Sequence, residues 1–289
     1  MHNRKKSLSI LGMFLMGAAV ISFIVFYLIV MISNQGYTYI DPDTLKLVQT
    51  EEIPQGAPTA VITTTKGEIR CVLYPEYAPQ TVAQFERLAE AGYYNDTYVF
   101  EAKNDVYFAA GAKNALGDLP DGATEAQERI PRELHQDLWP FRGALCSMTT
   151  ATDTSFTKRL FKTEEKYTGS RFMLLGTVDF SDEQFLQEFR EASASSVLAD
   201  TFLSWGGVPN FSQQVAVFGQ TYAGLDVIDA ICAAPLQAEH TGGYTPPQED
   251  IKILTVTISS YGEEDAAMNE LKPVEHFEFP TEAGTSAQP

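Results

Sequence analysis

The chain has four histidines and three cysteines, the side chains most apt to ligate a metal or attack as nucleophiles. His2, His135, His240 and His276 are scattered along it, and neither they nor Cys71, Cys146 and Cys232 show the short spacing of a metal site. No metal ion and no cofactor is therefore expected. Each cysteine lies in apolar sequence that reads as strand or helix, the setting of a buried free thiol, and three are too few for a disulfide framework. Gly242-Gly243-Tyr244 lacks the strand-turn-helix context of a phosphate loop and reads as an ordinary loop. Asn95-Asp96-Thr97 and Asn210-Phe211-Ser212 match the short acceptor pattern for N-glycosylation. With those motifs set aside, the elements that arrange the remaining side chains become the question.

Composition narrows the partners. Of 289 residues, 20 are Lys or Arg and 38 are Asp or Glu, a formal net charge of −18. Such a surface repels phosphate backbones, so no nucleic-acid partner is expected. Hydrophobic residues at 44%, with 18 Phe and 13 Tyr, exclude whole-chain disorder and suffice for one large core or two small ones.

Residues 8–32 contain no Asp, Glu, Lys, Arg or His. At about 1.5 Å per helical residue they cross a hydrocarbon core of about 30 Å, and they read as a single transmembrane helix. The competing reading is a cleaved signal peptide, whose apolar region runs to roughly 7–15 residues and ends at a small-residue site. Arg4, Lys5 and Lys6 precede the helix and no Lys or Arg follows until Lys46. By that asymmetry residues 1–7 are expected in the cytoplasm and the rest of the chain outside a cell membrane it crosses once. Residues 33–58 carry Asp41-Pro42, Ile53-Pro54 and Ala57-Pro58 and read as an extended linker. Residues 262–289 are acidic and read as a disordered tail.

The remaining segment, 59–261, reads mostly as short strands. Ala60 to Thr64 and Glu68 to Tyr74 flank Thr65-Lys66-Gly67 as a hairpin. Pro79 opens a helix with Val82, Phe85 and Leu88 on one face, and Gly92 suits its end. Further strands are expected at Tyr98 to Phe100, Val106 to Ala109, Gly143 to Met148, Arg171 to Leu175, Val215 to Gly219 and Ile251 to Ser259. A second helix, with Leu225, Ile228 and Ile231 on one side, precedes the last strand. Two helices among many strands, without strand-helix alternation, predict a mainly β fold with an antiparallel, closed sheet.

The order and wording of these segments resemble the cyclophilin family of peptidyl-prolyl cis-trans isomerases. The likeness runs from Ile62-Thr63-Thr64-Thr65-Lys66-Gly67-Glu68-Ile69 through Leu73-Tyr74-Pro75-Glu76-Tyr77-Ala78-Pro79-Gln80-Thr81-Val82-Ala83-Gln84-Phe85 to Ala91-Gly92-Tyr93-Tyr94. It resumes at Arg142-Gly143-Ala144-Leu145-Cys146-Ser147-Met148, Gly169-Ser170-Arg171-Phe172, Val217-Phe218-Gly219-Gln220, Gly224-Leu225-Asp226-Val227-Ile228 and the final strand. The resemblance implies an eight-stranded antiparallel barrel capped by two helices, and catalysis of rotation about X-Pro bonds. Amide resonance sets that barrier at about 18–20 kcal/mol. In the family an apolar pocket holds the proline ring while an Arg hydrogen-bonds the twisted transition state, so no nucleophile is needed.

Aligned by that resemblance, the pocket is expected from Phe100, Tyr107, Phe108, Met148, Thr149, Phe172, Met173 and Phe211. The family's Phe-His-Arg element falls at Phe100-Glu101-Ala102, so its Arg becomes Ala102, and its supporting Gln becomes Ala110. Removing a preorganised donor costs about 10²–10³ in rate, so weak or lost isomerase activity is expected. Arg171, where the family usually has Gln, is a substitute donor if its guanidinium reaches the groove; the other reading is a surface Arg facing water. Segment 179–214 is longer than in the family by about 25 residues. Ser181-Asp182-Glu183-Gln184 is a capping-box pattern, and Phe185, Phe189, Ala192 and Ser196 follow at helical steps, which predicts one inserted helix. It is either a lid over the pocket or a helix packed by its Phe face on the barrel. Three functions follow from the resemblance: an isomerase assisting exported proteins, a non-catalytic module binding proline-containing segments or a fixed partner, and a structural part of an envelope complex.

Overall fold

The computed structural model describes residues 21–24, 26–27, 40–41, 44–119, 129–151, 166–193, 195–237 and 243–265. The chain divides into two units. In the first, Met1–Tyr39 with Ala151–Glu165, the described residues 21–24 and 26–27 are helical, with Ile21, Phe23 and Phe26 exposed. The span expected over 8–32 otherwise lies outside the described residues, and among those described no helix is long and apolar enough to cross a membrane. The second unit, Ile40–Thr150 with Lys166–Pro289, carries the strands.

Strands β1 (Pro58–Thr64) and β2 (Gly67–Leu73) form the expected hairpin. Its turn is held by the Thr64 hydroxyl, which donates to the Gly67 carbonyl at 2.8 Å and accepts from the Lys66 amide at 3.0 Å. Helix α1 (Pro79–Glu90) buries Val82, Phe85 and Leu88. The Glu133 carboxylate covers its N-terminus, accepting from the Thr81 amide at 2.7 Å and the Thr81 hydroxyl at 2.8 Å, which satisfies donors the helix cannot. There follow β3 (Thr97–Lys103), β4 (Tyr107–Ala112), the two-residue β5 (Ile130–Pro131), β6 (Ala144–Ala151) and β7 (Lys166–Leu175). Helices α2 (Glu183–Ala192) and α3 (Ser196–Trp205) precede β8 (Ala216–Ala223), α4 (Leu225–Cys232) and β9 (Lys252–Ser260).

The strands run β4-β3-β9-β1-β2-β8-β6-β7, and a β4–β7 pairing closes the ring, with β5 added on β7. Every registered pairing is antiparallel. Closure removes the exposed strand edges that an open sheet would present. The expected eight-stranded barrel is therefore present. Its interior is filled by Ile62, Ile69, Leu145, Phe172 and Phe218, against which α1 packs Phe85 and α4 packs Ile228. Gly67 is required where α4 closes down, because a Cβ there would stand 2.7 Å from Val227 Cγ2. Cys71, Cys146 and Cys232 are free and buried.

The insertion forms two helices rather than one. Asp182 caps α2 by accepting the Phe185 amide at 2.7 Å, and the chain breaks before α3 instead of continuing through Ser196. Phe189 of α2 meets Phe202 of α3 at 5.9 Å, and Phe202 meets Phe141 at 4.7 Å. The Phe face thus joins a cluster with Trp139, Phe141 and Leu198, separate from the groove cluster described below.

Part of the segment expected as a spacer is bound to the domain. Gln49 is buried: its amide nitrogen donates to the Trp139 carbonyl at 2.9 Å and to Gln220 Oε1 at 2.7 Å, while its oxygen accepts the Trp139 amide at 2.6 Å. Leu45 and Leu47 pack beside the Trp139 cluster. At the other end, Glu264 accepts the Tyr222 hydroxyl at 2.6 Å, so the start of the acidic tail is ordered. Residues 266–289 lie outside the described residues.

Candidate functional site

Strand alternation gives the barrel wall two apolar faces. On β7, Phe172 and Leu174 point inward, while Met173 and Leu175 belong to an outer cluster with Phe100, Ala109, Tyr107, Met148, Phe211 and Tyr244. Seven of the expected pocket residues are accounted for by these two sets, and they divide. Phe100, Tyr107, Met148, Met173 and Phe211 come together on the outer face. Phe108 and Phe172 do not: both lie in the interior, Phe172 edge-on to Phe85 at 5.7 Å and to Tyr94 at 5.4 Å. Adjacent residues of a regularly paired strand point to opposite faces, and that is why Phe172 and Met173 separate. Thr149 is half-buried and its hydroxyl donates to the Gln214 carbonyl at 3.4 Å.

The outer cluster is already well covered. Met173 retains 7% of its surface and Phe100 none. Tyr244 stands edge-on to Phe100 at 4.8 Å, and Phe211, on the short turn Pro209–Phe211, meets Tyr107 at 5.7 Å.

Arg171 does not face water. Only 8% of it is exposed. Its guanidinium lies over the Phe100 ring at 5.7 Å, and Nη1 donates to the Gly117 carbonyl at 3.0 Å and the Tyr244 hydroxyl at 3.4 Å. The side chain thus stays on the outer face beside Met173, engaged with Phe100, Gly117 and Tyr244. Gly117 makes this packing possible: its φ is +85°, and a Cβ there would stand 2.6 Å from Tyr244 Cε2. Such a backbone conformation disfavours any side chain, independently of the crowding.

Strand β3 departs from simple alternation. Val99 pairs with Ala110 and Glu101 with Ala109, which leaves Phe100 as an extra residue. This bulge resets the faces. Ala102, aligned with the family's Arg, turns into the interior with 2% exposure. Glu101 instead lies on the outer side, where its Oε1 accepts the Tyr107 hydroxyl at 2.9 Å. Burial raises the Glu101 carboxyl above its ordinary pKa, with the Tyr107 bond and the Lys103 charge acting the other way. The Tyr107 hydroxyl is also pushed up, by burial first and then by the neighbouring Glu101 charge.

The arrangement offers an apolar floor, one engaged guanidinium and one half-buried carboxylate. None of the three thiols is activated: burial pushes Cys71 and Cys232 up to about 12, and Cys146 is raised for the same reason. Among the described residues no three His, Cys, Asp or Glu side chains converge as a metal site. Sequence reasoning missed Tyr244, which stood in a loop between glycine and threonine, and did not place Glu101 in the site. For Tyr244 the only local signal was an aromatic in a glycine-rich turn.

The family follows from direct comparison. A model described as cyclophilin type peptidyl-prolyl cis-trans isomerase/CLD matches residues 59–258, and this chain belongs to that family. A putative peptidyl-prolyl cis-trans isomerase of Staphylococcus saprophyticus is 25% identical over 198 residues, 68% of this chain and 90% of the relative. A putative bifunctional phosphatase/peptidyl-prolyl cis-trans isomerase of Streptococcus pyogenes is 26% identical over 203 residues. That match takes in 70% of this chain and 38% of the longer relative, so the chain spans well under half of it. A cyclophilin type isomerase of Cryptosporidium parvum, solved in the presence of the dipeptide Ala-Pro, matches 68% of this chain and 96% of its own. The TM-score is 0.46 at 16% identity.

Proposed function

We propose that this protein is a membrane-anchored cyclophilin whose domain lies outside the cytoplasm, where it holds proline-containing segments of exported polypeptides with weak or lost isomerase catalysis. The observation that carries the reading of the site is the β3 bulge. It leaves Ala102 inside the barrel and a carboxylate, Glu101, on the face where the resemblance implies a cation. A negative charge there does nothing to favour the transition state in which the imide nitrogen gathers electron density. Arg171 is the substitute the resemblance suggests on that face, but its Nη1 already donates to the Gly117 carbonyl and the Tyr244 hydroxyl. Apolar contact with Met173, Tyr107 and Phe211 remains, and it serves binding more than rate.

The test is magnetisation-exchange NMR of an X-Pro peptide with the full chain in zwitterionic detergent. Peptide shift changes without faster cis/trans exchange are the expected result. Acceleration at catalytic protein levels overturns weak catalysis and directs attention to Arg171, while unchanged shifts overturn proline-segment binding. The anchor reading rests on the uncharged run 8–32 and the basic residues before it. Digestion of the domain by protease added outside intact cells is the expected outcome; full protection until the cells are lysed overturns it.

A further inference from the structure

Resting on the proline-segment reading, the outer face also defines which segments fit. Glu101 is in register with Ala109 on β4, and Ala109 with Met173 on β7, so the three residues form a row across neighbouring strands. Strands stand about 4.8 Å apart, which puts the Glu101 backbone about 10 Å from that of Met173, the distance an extended peptide covers in about three residues. Glu101 is half-buried. Its Oε1 accepts the Tyr107 hydroxyl, and no hydrogen bond to Oε2 is found among the described residues.

A carboxylate partly stripped of water gains from a cation what it lost in hydration. Two cations on the strands of this row do not supply this. Lys103 is two residues along the same strand but exposed, and it acts on Glu101 less than burial or Tyr107 does. Arg171 is turned to Gly117 and Tyr244. We infer that Glu101 makes the groove selective for proline segments bearing a Lys or Arg within about three residues of the proline. The net charge of −18 attracts the same basic segments at longer range.

Long-range attraction and a local contact are separable by position. Three peptides of equal length are titrated into the full chain at fixed ionic strength: Lys beside the proline, Lys seven residues away, and Glu beside the proline. A peptide with the near Lys binds about tenfold tighter than one with the distant Lys, the low end of what a hydrogen bond to a charged group contributes. In Glu101→Gln that ratio falls to about one. In Glu101→Lys, the peptide with Glu beside the proline becomes the tighter one; an amide spectrum like that of the native chain shows that each variant is folded. Equal affinities for near and distant Lys, or a ratio that survives in Glu101→Gln, overturn the inference and leave proline binding standing. If no peptide binds, both readings fall together.

Discussion

Replacing Arg171 by Met tests how the groove wall is built, because Met keeps an aliphatic stem of similar length and removes the guanidinium. The native group donates to the Gly117 carbonyl at 3.0 Å, more weakly to Tyr244 at 3.4 Å, and lies 5.7 Å from the Phe100 ring centre. A hydrogen bond from a charged donor contributes about 1.5–3 kcal/mol, and a partly desolvated cation–π contact about 1–2 kcal/mol. These overlap, since Gly117 and Phe100 grip the same group, and Met recovers some apolar contact with the ring. The expected loss is about 2–4 kcal/mol. For a domain of this size each kcal/mol lowers Tm by about 2–4 °C, so a fall of about 4–16 °C is expected in thermal unfolding, with a matching shift of the urea midpoint at unchanged slope. Phe100→Leu alone and combined with Arg171→Met supplies a double-mutant cycle. A loss below about 0.5 kcal/mol, or strict additivity in the cycle, refutes the account of Arg171 as a buried anchor of the wall.

Gly117→Ala places a methyl group 2.6 Å from Tyr244 Cε2 at a φ of +85°, and a stability loss of about 1–3 kcal/mol is expected in urea unfolding, partly recovered by adding Tyr244→Ala. Full recovery, or none, rejects the crowding at Tyr244 as one of two causes. Glu101 has a folded pKa raised by burial, so its contribution to stability is complete below the ordinary carboxylate range and is lost as pH rises through the folded value. The Tm of Glu101→Gln minus that of the native chain should therefore grow from acid toward neutral pH; a flat or falling difference refutes the burial argument. Gln49→Leu leaves the Trp139 amide and carbonyl and Gln220 Oε1 without the partners they have now. A loss of about 2–3 kcal/mol and faster hydrogen exchange at the Trp139 amide are expected. Unchanged exchange there shows that the segment before β1 is not part of the cooperative domain.

The elements themselves were largely legible. The short apolar runs Ala60 to Thr64 and Arg171 to Leu175, almost wholly buried, and the three-residue steps of Val82, Phe85 and Leu88 report burial directly, and burial is what makes those strands and that helix. The inserted segment was legible as helical because its Phe spacing is periodic. Its division into α2 and α3 was not, since Ser193 and Ser195 carry only a weak break signal against that period. The docking of Gln49 on Trp139 was likewise hidden. Its partners are 90 and 171 residues away, and a polar residue in a proline-containing stretch reads locally as linker.

For this protein the sequence by itself determined the barrel, its two capping helices and the family, because those depend on local periodicity and on motifs kept in order. It also settled the acidic balance and the uncharged run at residues 8–32, which are properties of composition. Tertiary structure alone decided the character of the groove. One unpaired residue, Phe100, exchanges the faces of Glu101 and Ala102, and a period-two pattern has no means of announcing an extra residue before the partner strand is known. The same holds for Tyr244, brought beside Phe100 and Arg171 across the fold. Which side chains share a groove is set by register and closure between distant strands, and those are fixed only when the ring of eight is complete.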